Sequence, residues 1–209
     1  MIKSQDFLIL IKLISLQKEM LKKEQYPTIK NAYIDENSYE FFLKNYLSLR
    51  GIGSSLGISK TEISTSLKRC VDSRLLVLYD SENNGLLSLN EANWHVNKKA
   101  LFDLIKYAVP YFFPVKQSGL NFGLATGFSA PILAKELTSG GTNPYVWASE
   151  YGTIYGQSIE PLYKTVPFAS INDQFVYDSF SLIDAYRMGK AREKDIALRL
   201  IEEIIMGGK

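Results

Sequence analysis

Residues Leu49 to Cys70 constrain what this chain can fold into more tightly than any other stretch. They read LRGIGSSLGISKTEISTSLKRC. Ile52 and Leu56 stand four apart, so they share one face of a helix and point into a core. Gly53 is small where a second helix would pass close by. Gly57 suits a left-handed turn, where a Cβ would cost about 1 kcal/mol or more. Ile58 is placed to plug the core beneath that turn, and Ser59 to cap the helix that follows. Ile63, Leu67 and Cys70 then form an i, i+4, i+7 apolar stripe, which leaves Lys60, Thr61, Ser64, Thr65 and Lys68 facing outward. The pattern predicts a helix, a short turn and a second helix crossing the first.

Elements on either side can be read from the same kind of signal. Phe7, Leu10, Ile11, Ile14, Met20 and Leu21 recur at near-helical spacing and predict a helix from about Ser4 to Lys23. Leu8, Ile9, Leu13 and Leu16 widen its apolar stripe, so it needs covering on more than one side, by the domain or by a second subunit. Lys12 interrupts the run and Gln17 to Glu24 is polar, unlike a secretory leader, and no stretch reaches the ~20 apolar residues of a membrane span. Pro27 and Asp35 to Ser38 end this unit, and Ser38 caps a predicted helix to about Leu47. Leu75–Tyr79 reads as a strand, Ser81–Gly85 as a turn carried by Asn84-Gly85, and Leu86–Leu89 as the returning strand. Val96 to Tyr107 reads as a helix that Pro110 and Pro114 stop.

Beyond Pro114 the pattern changes. Glycines, prolines, serines and threonines up to Pro144 predict irregular structure, with Gly119, Gly123 and Gly127 as parts of a structural loop rather than of a phosphate loop or dinucleotide fingerprint. Aromatic residues continue through it, so it is expected to be a folded, loop-rich cap. Val146 to Pro167 is read as core packing rather than as an aromatic pocket or a partner groove. Residues 172–188 and 190–206 read as two closing helices, with Arg187, Lys190 and Arg192 expected to pair with Asp184 and Glu193 rather than to touch DNA phosphates or an acidic partner.

Composition narrows the function classes. The 209 residues carry 24 basic and 22 acidic side chains, which excludes a histone-like basic protein and an acidic tail protein. With one cysteine, Cys70, there is no disulfide framework and no Cys-rich zinc site; with one histidine, His95, the usual two-histidine metal centres are absent. His95 is read as structural, and Cys70 as buried and inert. No catalytic residue, metal or cofactor is expected, and the chain is read as cytoplasmic, without a membrane partner.

The segment from Leu49 to Cys70, with the helix before it and the hairpin after it, resembles the winged helix-turn-helix of transcription regulators such as the MarR and GntR groups. The likeness covers roughly Ser38 to Leu89. It implies a mainly α fold with a small β-hairpin wing (α+β): a DNA-binding domain over 1–109, then a region over 110–209 for dimerisation or partner binding. In such proteins the second helix enters the major groove with its N-terminal residues at the base edges. By position this nominates Ser59, Lys60, Thr61, Ser64 and Thr65 for bases, and Lys68 and Arg69 for phosphates. Arg50 joins them through the local charge, since residues 44–74 hold six basic side chains against Glu62 and Asp72. The wing departs from the pattern, because Asp80 and Glu82 stand at its tip without a lysine or arginine.

The implied function is a sequence-specific reader of double-stranded DNA acting as a homodimeric transcriptional (auto)repressor. The alternative is a protein-interaction module, such as an antitoxin or defence-system component, built on a winged helix that does not bind DNA.

Overall fold

A computed structural model describes residues 1–25, 45–79, 89, 94–136 and 143–207. The chain divides into two units, Met1–Asn97 and Lys98–Lys209.

The first unit is built around helix α1, Ser4–Gln25. Leu8, Ile9, Ile11, Leu13 and Ile14 all have 0% exposure, so the helix is enclosed on every side between Phe7 and Leu16. That is the fate of a helix apolar all round. The chain itself provides the cover, so this stretch offers no apolar face to a second subunit.

Helix α2, Leu49–Leu56, starts on Ser48, whose hydroxyl accepts the Gly51 N–H at 2.9 Å and donates to the Asn45 carbonyl at 2.7 Å. It ends at Gly57, held at φ 65° and ψ 34°, the left-handed conformation the sequence requires. The Ile58 N–H donates to the Gly53 carbonyl at 2.9 Å. A Cβ on Gly53 would lie 2.5 Å from the Ile58 carbonyl oxygen, so only glycine fits under the turn. Helix α3, Lys60–Asp72, follows with Ile63, Ser66, Leu67 and Cys70 buried. Strands β1, Leu76–Leu78, and β2, Trp94–Val96, then pair antiparallel, with Val77 opposite His95.

Among the described residues the first strand pairs with Trp94–Val96. One sequence expectation changes here: the helix expected from Val96 begins at Lys98, because Val96 is spent on the ladder. Leu89 lies in a turn, while Leu86–Ser88, the Ser81–Gly85 turn and residues 38–44 of the expected second helix lie outside the described residues.

The second unit begins with α4, Lys98–Tyr107, and the single turn α5, Val109–Phe112. The boundary expected after residue 109 therefore falls twelve residues earlier, at Asn97. The physical reason is that α4 packs on the last helix of this unit. Strands β3 (Gln117–Ala125), β4 (Tyr145–Ala148) and β5 (Ile154–Ile159) close into a small barrel, β3 antiparallel to both others and β4 parallel to β5. This corrects the expectation of irregular structure between Pro114 and Pro144. The glycines there mark close backbone approach: a Cβ on Gly123 would stand 1.9 Å from the Trp147 carbonyl oxygen. Two 3₁₀ turns, Gly127–Ser129 and Pro131–Leu133, follow β3. Helices α6 (Val166–Ile171), α7 (Gln174–Met188) and α8 (Ala191–Met206) complete the chain, the last two close to where the sequence puts them.

The core of this unit is Trp147, Phe180, Leu182 and Ile183, all at 0% exposure. One buried carboxylate organises it. Asp184 on α7 accepts the Trp147 indole N–H at 2.6 Å and the Thr126 hydroxyl at 3.3 Å, and pairs with Arg187 at 2.5 Å. Arg187 also donates to the Phe113 and Pro114 carbonyls at 2.7 and 3.3 Å. Burial pushes the Asp184 pKa up, against the pull of Arg187 and of its other donors. The expected pairing of Arg187 with Asp184 is present, whereas Glu193 accepts the backbone N–H of Lys190 at 2.9 Å.

Candidate nucleic-acid interface

The outward face of α3 is produced by its inward one. Ile63, Leu67 and Cys70 fix the helix against α1 and α2, so positions 60, 61, 65 and 68 can only point away. Lys60, Thr61, Thr65 and Lys68 are exposed, and Ser64 is half-buried beside them. The first turn is locked by a capping box: the Ser59 hydroxyl accepts the Glu62 N–H at 3.3 Å, and Glu62 Oε2 accepts from the Ser59 N–H at 3.4 Å and from its hydroxyl at 3.0 Å. Ser59 is thus committed to starting the helix, and the one acidic group on this face, Glu62, is committed with it. The Thr65 hydroxyl donates to the Thr61 carbonyl at 2.9 Å, and the residue is exposed.

Arg69 stands apart from the other nominated residues. Its guanidinium reaches back to α1, where Nη2 meets Asp6 Oδ1 at 2.6 Å and Nε meets Oδ2 at 3.1 Å. The Ser66 hydroxyl also donates to Asp6 Oδ1. Asp6 is fully buried, and its hydrogen bond raises the already high pKa of Arg69. A bidentate contact of this kind fixes orientation as well as distance. Arg69 therefore sets where α3 lies, and the exposed cations of this surface are Arg50, Lys60 and Lys68, none with an ion-pair partner among the described residues. Arg74, also exposed, holds φ 58° just past the end of α3.

The Asp6 anchor escapes sequence reading. Its one signal is an acidic residue immediately before the apolar run Phe7 to Ile11, where a carboxylate needs a partner from elsewhere. Cys70 lies behind the same helix at 0% exposure, and burial pushes its thiol pKa up to about 12, so it is the inert core residue the stripe predicts. His95 stacks on Tyr79 with centroids 5.1 Å apart. Among the described residues no group of His, Cys, Asp and Glu is arranged to hold a metal ion, and no helix is long and apolar enough to cross a membrane. Asp80 and Glu82 at the expected wing tip lie outside the described residues. No family model, curated protein or solved structure matches the chain.

Proposed function

We propose that this protein is a sequence-specific reader of double-stranded DNA that regulates transcription as a dimeric repressor, with α3 as a winged-helix recognition helix. One observation carries the reading: every side chain that α3 exposes between Lys60 and Lys68 is a cation or a small hydroxyl-bearing group, apart from Glu62, which is engaged at the cap. Thr61, Ser64 and Thr65 are short enough to meet base edges and thymine methyl groups, while Lys60 and Lys68 lie within reach of bases and phosphates. Ser59 and Glu62 hold the start of the helix, and Asp6 with Arg69 holds its far end. A reading helix pinned at both ends loses little conformational freedom when it docks.

Titration of the chain into fluorescent duplex DNA from upstream of its own gene, with unrelated duplex as control, tests the proposal. Tight binding that prefers the upstream fragment and weakens steeply as salt rises is the expected result. If folded protein ignores both duplexes, the paired helices are a packing module and the interaction-module alternative takes over.

A further inference from the structure

The second unit carries a basic and aromatic surface that the repressor proposal leaves unused. It lies where the end of α4, the turn α5, the end of α7 and the start of α8 converge. Tyr107 is 65% exposed, Tyr111 80% and Phe112 75%, an unusual display for rings of this size. Beneath them Tyr186 is buried, and its hydroxyl donates to the Lys106 carbonyl at 2.6 Å, tying α7 to α4. The phenols of Tyr107 and Tyr111 act electrostatically on that of Tyr186.

Cations interleave with these rings. Lys106 Nζ lies 5.0 Å from the Tyr107 ring centre, and Lys194 Nζ lies 5.8 Å from that of Tyr186. Lys190 and Arg192 are exposed at the start of α8. Of the acids nearby, Asp103 pairs with Lys99 at 2.6 Å, Asp184 with Arg187 at 2.5 Å, and Glu193 accepts the Lys190 N–H, while Asp195 is exposed. Residues 98–116 and 184–195 hold eight basic side chains against four acids. Residues 44–74 hold six against two, so the rest of the chain keeps ten basic and sixteen acidic ones. Positive charge is thus gathered in two places, one in each unit, on a chain that is otherwise acidic.

Exposed rings set among uncommitted cations suit a polyanion that also offers flat faces. A duplex hides its base faces in the stack, whereas an unpaired strand presents them beside its phosphates. We infer that this surface binds single-stranded DNA, stacking unpaired bases on Tyr107 and Tyr111 while Lys106, Lys190, Arg192 and Lys194 meet the phosphates. The choice of DNA over RNA rests on the duplex-reading proposal for the first unit.

Fluorescence anisotropy of the full chain with oligothymidylate, oligouridylate and a duplex tests this, with sedimentation recording mass. The expected result is salt-sensitive binding of oligothymidylate that Tyr111→Ala weakens by about tenfold, that Tyr111→Phe retains, and that Lys194→Ala weakens to a smaller degree. Duplex binding should be unchanged in all three variants. No oligothymidylate binding, or binding indifferent to Tyr111→Ala, overturns the inference, as does tighter binding of oligouridylate. A fall in mass with Tyr111→Ala also overturns it, because a second copy of the chain would then cover the rings. Loss of duplex binding alone, with oligothymidylate retained, defeats the repressor proposal and leaves this one standing.

Discussion

Asp6 and Asp184 are both fully buried aspartates paired with an arginine, and they secure different things. Asp184 gathers a strand end, a buried tryptophan and its own helix into one sealed knot, in which the Arg187 side chain is 3% exposed. Asp6 joins only two helices, and its partner Arg69 remains 16% exposed at the rim. The sealed knot holds the second unit together. The open one sets the position of an element whose other face points outward.

A buried carboxylate adds little net stability while it is paired, but removing one partner leaves a charge that nothing satisfies. The two sites therefore rank. Asp184→Ala should have the largest effect, about 3–5 kcal/mol in chemical denaturation, because Arg187 would stay buried and unpaired. Arg69→Ala should cost about 3 kcal/mol, at the low end because solvent at the rim can reach part of the vacancy. It should also lower affinity for every DNA sequence alike, since the whole helix loses its seat. If Arg69→Ala left stability untouched and removed only salt-dependent binding, Arg69 would be a phosphate contact after all, and the two aspartates would not be comparable.

Cys70 sharpens the picture through pH. Its thiol is raised from the ordinary value of 9.0 to about 12 in the folded chain, so the unfolded chain ionises first. Stability is full below about pH 9 and falls as pH rises towards 12. Cys70→Ala should flatten that alkaline decline, at a moderate cost in stability at neutral pH for the poorer packing. A thiol reagent added to native protein at pH 8 should react no faster than the chain unfolds. Rapid labelling would mean that the stripe facing α1 is open.

Legibility follows the same division. The first unit rests on local rules, so the helix, Gly57 turn, Ser59 cap and Ile63-Leu67-Cys70 stripe can all be read directly. Its anchor cannot, because Asp6 and Arg69 are 63 residues apart and no periodicity links them. In the second unit the two closing helices follow their spacing, but the closed sheet reads as loops. Gly123 has the look of a breaker, whereas it is the residue that lets β3 lie against the Trp147 carbonyl. An approach between distant backbones leaves no local trace beyond the glycine itself. The outward side of α3 is legible from its apolar stripe, and what the structure adds is that Ser59 and Arg69 are occupied in holding the helix.

The central claim is that the exposed side of α3 selects a DNA sequence. It is tested most directly by the ratio of affinities for upstream and unrelated duplex, measured for the natural chain and for Lys60→Ala with Thr65→Ala. Both side chains are exposed, so the melting temperature should hold, with stability changed by no more than about 0.5 kcal/mol. The account predicts that the ratio collapses, by about 1–3 kcal/mol for each base no longer read, while unspecific binding falls only slightly. An unchanged ratio in a folded double variant would contradict it.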